Sequence, residues 1–219
     1  GRYPVTNAEY RRFVQAGGYE QSKPWWSKQA IEEILRYSGG WPKGPRWWGD
    51  PQFDKATQPV VGISWYGAIA YCAWLTGHLR EKGILTEQQQ VRLPTRFAWE
   101  LAARGSHGRA YPWGADEFDP TRANTKESQV NQTTPVHMYP DGRTPEGVWD
   151  LAGNVWEWMT NVNTHGLPLL KGGAWWNRGD HVGATARDNR IPWNGDFGVG
   201  FRVVIVPISR SEKVLISGF

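Results

Sequence analysis

The residues that could do chemistry in this chain are few and mostly isolated. There is one thiol, Cys72, so an intramolecular disulfide and any site needing two cysteines are excluded within the chain. The five histidines, His78, His107, His137, His165 and His181, include no pair at i, i+3 or i, i+4 spacing. A histidine metal site would therefore have to be assembled from distant segments. No phosphate-binding loop, Gly-x-Ser-x-Gly elbow or HExxH helix is present. What stands out lies in the last third. Trp176, Asn177, Arg178, Asp180, His181, Asp188, Asn189, Arg190, Ile191, Trp193, Asn194, Asp196 and Phe197 mix aromatic, short polar and charged residues without a burial period. Aromatic anchors among adaptable polar groups and Arg are the chemistry of a contact surface for a protein or cell-surface ligand. The competing reading is plain solvent loops. Within the strip Trp175 reads as core, whereas Trp193 and Phe197, flanked by Gly and Asn, read as exposed.

Positioning such a surface requires a scaffold, and composition bounds what kind. The chain has 219 residues, 39% of them hydrophobic, with 15 Trp, 26 Gly and 15 Pro. That is one globular domain, rich in loops and aromatic anchors. No apolar run reaches the roughly 20 residues of a membrane-spanning helix. The net charge is +4, but the basic residues are scattered and Arg11-Arg12 is their only adjacent pair, so no nucleic-acid partner is expected. No leader is visible, and neither a compartment nor an oligomeric state follows from the sequence.

Helices crowd the first half. Thr6 to Glu9 forms a capping box, flanked by Val5 and Tyr10 as a hydrophobic staple, and Gly17-Gly18 ends that helix. A second helix is expected from Ser27 to Tyr37 and a third from Ser64. The third helix carries Trp65, Ala68, Ile69, Cys72 and Leu75 on one face, which makes Cys72 a small core residue. A fourth follows Pro94-Thr95, with Phe97 and Leu101 turned inward, and stops at Gly105. After residue 106 only short β-like runs appear, such as Val136–Met138 and Phe201–Val206, between Gly/Pro/Asn/Asp loops. Helices followed by short strands make an α+β fold. The alternating run Gly153–Trp158 suits a strand or turn in a crowded core, with Gly153 allowing close backbone approach and Trp156 and Trp158 buried. Arg202 is expected to be buried and paired.

Several segments in order resemble the formylglycine-generating-enzyme, or sulfatase-modifying factor, family. They are Tyr3–Tyr10, Pro59–Tyr66 with Ala70–Cys72, Arg92–Thr95 with Trp99-Glu100 and Ala102–Gly105, Tyr111–Gly114, Gly153–Trp158, Lys171–Trp175 and Gly200–Val203. The resemblance implies a C-type lectin fold, with two main helices around a small twisted antiparallel sheet. It also implies a trimmed or partial member, because the family's β-segment before the first helix is missing. The family's oxidases bind copper(I) with two cysteines, whose positions here fall on Gly179 and Ala184. Its iron-dependent branch would need three histidines. No cofactor is therefore required by the resemblance, which does imply a structural calcium on the side chains of Asp150 and Glu157 and the carbonyls of Gly153 and Val155. The other reading of Glu157 is a pair with a buried Arg or with backbone N–H groups. A second calcium loop, from Asn124 to Thr134, is short and lacks its aspartate.

One branch of this fold, the variable proteins of diversity-generating retroelements, has a matching frame. Gly172-Gly-Ala-Trp175 is followed by Arg187, four residues, Pro192, seven residues and Gly200-Phe-Arg202. Gly195 departs from it, standing where many members carry Arg. This resemblance implies a non-catalytic protein whose diversified strip binds a ligand. The alternatives are an iron oxidoreductase of the same family or an assembly domain of a larger protein.

Overall fold

A computed structural model describes residues 1–114 and 116–208. Four helices are set by their caps. In α1 (Asn7–Gln15) the Thr6 hydroxyl accepts from the Glu9 N–H while the Glu9 carboxylate accepts from the Thr6 N–H at 2.8 Å, completing the capping box. Ser27 caps α2 (Lys28–Tyr37) and Ser64 caps α3 (Trp65–Glu81), each accepting from an N–H three residues on. Thr95 does the same for α4 (Arg96–Arg104).

Among the described residues, six strands form two sheets. In one, β1 (Gln89–Arg92) runs antiparallel to β6 (Val204–Pro207). The other has the order β4-β3-β2-β5, from Arg187–Asn189, Pro168–Lys171, Trp156–Val162 and Val199–Gly200 respectively. Its β2–β5 pair is parallel, so the sheet is mixed rather than purely antiparallel. The first four residues of β2 are buried on both faces. Trp156 and Trp158 join the main core with α1 and α3, and Met159 joins Trp99 and Ala103 of α4 on the other side. This is the two-residue alternation of a strand. The main core is aromatic: Tyr10 stacks on Tyr71 at 5.3 Å, and Phe201 meets Tyr71 edge-on at 5.3 Å.

Several expectations change. Phe97 and Leu101 are 65% and 64% exposed, whereas Trp99 is 1% exposed. The α4 face was decided by the Trp99 indole, whose N–H finds a buried acceptor in Glu157 at 2.8 Å. In α3, Ile69 is exposed, while Tyr66, Ala70 and Tyr71 are buried with Ala68 and Cys72. The helix is wrapped by α1 and β1, so its buried arc is wider than one stripe. Val136–Met138 forms a turn, and the last strand begins at Val204 rather than Phe201. Phe201 and Arg202 are instead buried just before it.

Candidate functional site

The strip from Trp175 to Gly198 is stitched to the helical half of the chain. The Trp65 N–H donates to the Pro192 carbonyl at 2.9 Å, and the Gly62 N–H donates to the Asp196 carbonyl at 2.9 Å. Gly62 in turn accepts from the Arg46 N–H at 2.9 Å. Gly195 is required by this contact, since a Cβ there would lie 2.3 Å from the Gly62 carbonyl carbon. That accounts for glycine at a position where Arg was expected.

Three of the expected contact residues, Ile191, Trp193 and Asn194, line a cavity of about 660 Å³. Its far wall comes from residues the sequence had not singled out: Tyr37 at the end of α2, then Trp41 and Arg46 in the following loop. The Trp193 ring stacks on Tyr37 with centroids 4.4 Å apart. Trp193 is thus half-buried, and Phe197 is exposed. Phe197 caps an aromatic group with Trp176 at 4.9 Å, Trp47 at 5.6 Å and Trp175 at 5.7 Å. Trp175 is half-buried there, and its indole N–H is buried without a hydrogen-bond partner among the described residues.

The remaining strip residues gather elsewhere. Asn177, Asp180, His181 and Asp188 border a smaller hollow of about 310 Å³. Asn177 also braces its own turn, accepting from the Ala174 N–H at 2.9 Å. Arg178 and Asp180 are exposed and 3.5 Å apart. On the edge strand β4, Asp188 pairs with Arg190 at 2.8 Å, and Asp188 and Asn189 border a third hollow with Arg96 and Phe97. Asp196 accepts from the Phe197 N–H at 2.7 Å.

The residues expected around calcium are organised by an ion pair. Glu157, fully buried, accepts from Arg202 Nε at 2.6 Å, from Arg202 Nη2 at 2.7 Å and from Trp99 Nε1 at 2.8 Å. Arg202 also donates to the Trp149 carbonyl at 2.8 Å. Asp150 sits in the left-handed region at φ 53° and accepts from Asn154 Nδ2 at 3.3 Å. Burial pushes its carboxyl up to about 7, against the pull of Asn154 and Arg202. The Gly153 carbonyl accepts from the Val155 N–H at 2.8 Å. Gly153 itself lies against the Asn124 carbonyl, where a Cβ would approach to 2.3 Å. As arranged, both Glu157 oxygens accept from the Arg202 guanidinium. In the second loop, Asn124 bonds the Gln132 carbonyl and Asn154 Oδ1, tying it to the first.

Among the described residues, no three His, Cys, Asp or Glu side chains are placed to hold a metal. Cys72 is buried, and desolvation pushes its thiol far above the usual range. At the expected copper-ligand positions, Ala184 is fully buried, and a Cβ on Gly179 would meet the Phe118 ring at 2.1 Å. No described helix is long and apolar enough to cross a membrane.

Comparison with known proteins agrees with this architecture. Residues 1–207 match the family described as sulfatase-modifying factor enzyme 1-like domain. Hercynine oxygenase of Mycobacterium tuberculosis is 36% identical over 173 residues, spanning 74% of this chain but only 37% of that protein. The inactive C-alpha-formylglycine-generating enzyme 2 of Mus musculus is 29% identical, over 91% of this chain and 72% of its own length. Among solved structures, Treponema denticola variable protein 1 superposes with a TM-score of 0.65 at 18% identity, covering 94% of this chain and 83% of that one. PvdO from Pseudomonas aeruginosa gives 0.66 at 23% identity, covering 94% and 79%. The chain belongs to the sulfatase-modifying factor, or formylglycine-generating-enzyme, family and has its C-type lectin-like α+β fold.

Proposed function

We propose that this chain is a non-catalytic binding protein, a variable protein of the diversity-generating-retroelement type, that grips a protein or cell-surface ligand through the strip from Trp176 to Phe197. One observation carries the reading: between buried frame residues the strip exposes side chains outside the core, while its Trp176 and Trp193 pack against it. The frame residues Gly172, Gly173, Gly200, Phe201 and Arg202 are buried. Arg178, Asp180, His181, Ile191, Asn194 and Phe197 between them are exposed, and the backbone at Pro192 and Asp196 is bonded to residues 62–65. Such a surface can change side chains without disturbing the core, and its fixed backbone limits the ordering entropy of binding. The name of the Treponema denticola protein and the word "inactive" in the name of the mouse relative point the same way.

The 36% identity to hercynine oxygenase favours a second reading, a metal-dependent oxidoreductase. Metal analysis of purified protein incubated with ferrous iron separates the two. The binding reading predicts no stoichiometric iron. One equivalent of iron, lost when His181 or another histidine is replaced by Ala, would overturn it.

A further inference from the structure

We infer that the cavity between α2 and the 191–195 loop is a binding site for an aromatic ring bearing a carboxylate. The inference rests on the binding reading above and names the chemistry that one part of the surface would recognise. The cavity, about 660 Å³, is of the size that encloses a small ligand or a large side chain. Its walls offer the rings of Tyr37, Trp41 and Trp193, which favour stacked or edge-on partners. These rings are held in place. Trp193 is stacked on Tyr37, and the Trp41 indole N–H donates to the Tyr19 carbonyl. The floor is backbone, where Gly195 lies on Gly62.

Charge decides the rest. Arg46 is the only charged residue lining this cavity among the described residues. The carboxylate of Glu33 borders the neighbouring hollow instead, and there it accepts from the Tyr66 hydroxyl at 2.6 Å. The Arg46 guanidinium lies over the Trp47 ring at 5.1 Å, and its main-chain N–H is bonded to Gly62. As the one charged residue of the lining, and a cation, Arg46 favours a carboxylate held near a ring and disfavours an ammonium. Two sources supply that chemistry: a free aromatic acid, or an aromatic side chain next to an acidic residue in a bound protein.

The test is a titration of the ¹⁵N-labelled protein, followed through its tryptophan indole N–H signals. The Trp41 and Trp193 signals would be assigned by Trp→Phe variants. Phenylacetate, phenethylamine and the capped dipeptide acetyl-Phe-Asp-amide serve as probes. Phenylacetate is expected to saturate in the millimolar range and to move both signals, while phenethylamine does not. Arg46→Gln should weaken phenylacetate about tenfold or more, the worth of a charge-assisted bond, with the melting temperature unchanged. Tighter binding of the dipeptide assigns the site to a protein partner, and tighter binding of phenylacetate assigns it to a small acid. No saturation, equal binding of the amine, or an unchanged affinity in Arg46→Gln would overturn the inference. Saturation in a protein whose strip is invariant in nature would sink the diversified-binder reading alone. A diversified strip without saturation would sink only this inference.

Discussion

Replacing Glu157 with Gln tests the ion pair at the centre of the fold. The change keeps the shape of the side chain and opens no cavity, but it removes the charge and turns one of two accepting oxygens into an amide donor facing an N–H. It leaves the Arg202 guanidinium, 3% exposed, with carbonyl acceptors such as Trp149 but without its counter-charge. Removing one partner of a buried pair costs about 3–5 kcal/mol, because the other charge stays desolvated. For a chain of this size that is a fall in Tm of roughly 6–20 °C. Equilibrium unfolding in urea would measure it, with calorimetry as a second probe. Arg202→Met should be costly alone for the same reason. The double variant Glu157→Gln/Arg202→Met should recover part of the loss, since no buried charge is left uncompensated. A cost below about 1 kcal/mol for Glu157→Gln, or losses that simply add in the double variant, would refute this reasoning.

Other outcomes follow from the same contacts. Phe97→Ser and Leu101→Ser should each change stability by less than about 1 kcal/mol, whereas Trp99→Ala should cost about 3–5 kcal/mol; urea midpoints would show a reversal if α4 were turned the other way. Gly195→Ala should cost about 1–3 kcal/mol by forcing the 191–195 loop off Gly62. A wild-type unfolding curve for that variant would contradict the packing described. Cys72 should resist Ellman's reagent in the native protein and react on unfolding; rapid native labelling would contradict its burial. Melting in calcium chloride and in EGTA should agree to within about a degree, because Glu157 is engaged by Arg202. A calcium-dependent rise abolished by Asp150→Asn would make these residues ligands.

Much of the scaffold was legible because its signals are local. The caps at Thr6, Ser27, Ser64 and Thr95 set helix starts that the structure reproduces. Arg202 as a buried, paired guanidinium was also readable, with Glu157 as one candidate for its partner. What stayed hidden depended on distant contacts. On α4, Phe97/Leu101 and Trp99/Ala103 have the same i, i+4 spacing, and only Glu157 on β2 chose between them. The parallel pairing of β2 with β5 joins segments with no local turn to announce it. In the strip, periodicity could not say that Trp193 would stack on Tyr37. Half of the cavity therefore came from Tyr37, Trp41 and Arg46, near the opposite end of the chain, where nothing local marks them as contact residues.

The most direct test of the binding account is to sequence natural copies of the gene across the codons for residues 170–205, together with a search nearby for a near-copy of that stretch. The account predicts substitutions concentrated at adenine-matched positions, at residues such as Asn177, Asn189 and Asn194. Gly172, Gly173 and Gly200 to Arg202 should stay fixed. An invariant stretch with no template copy would contradict it.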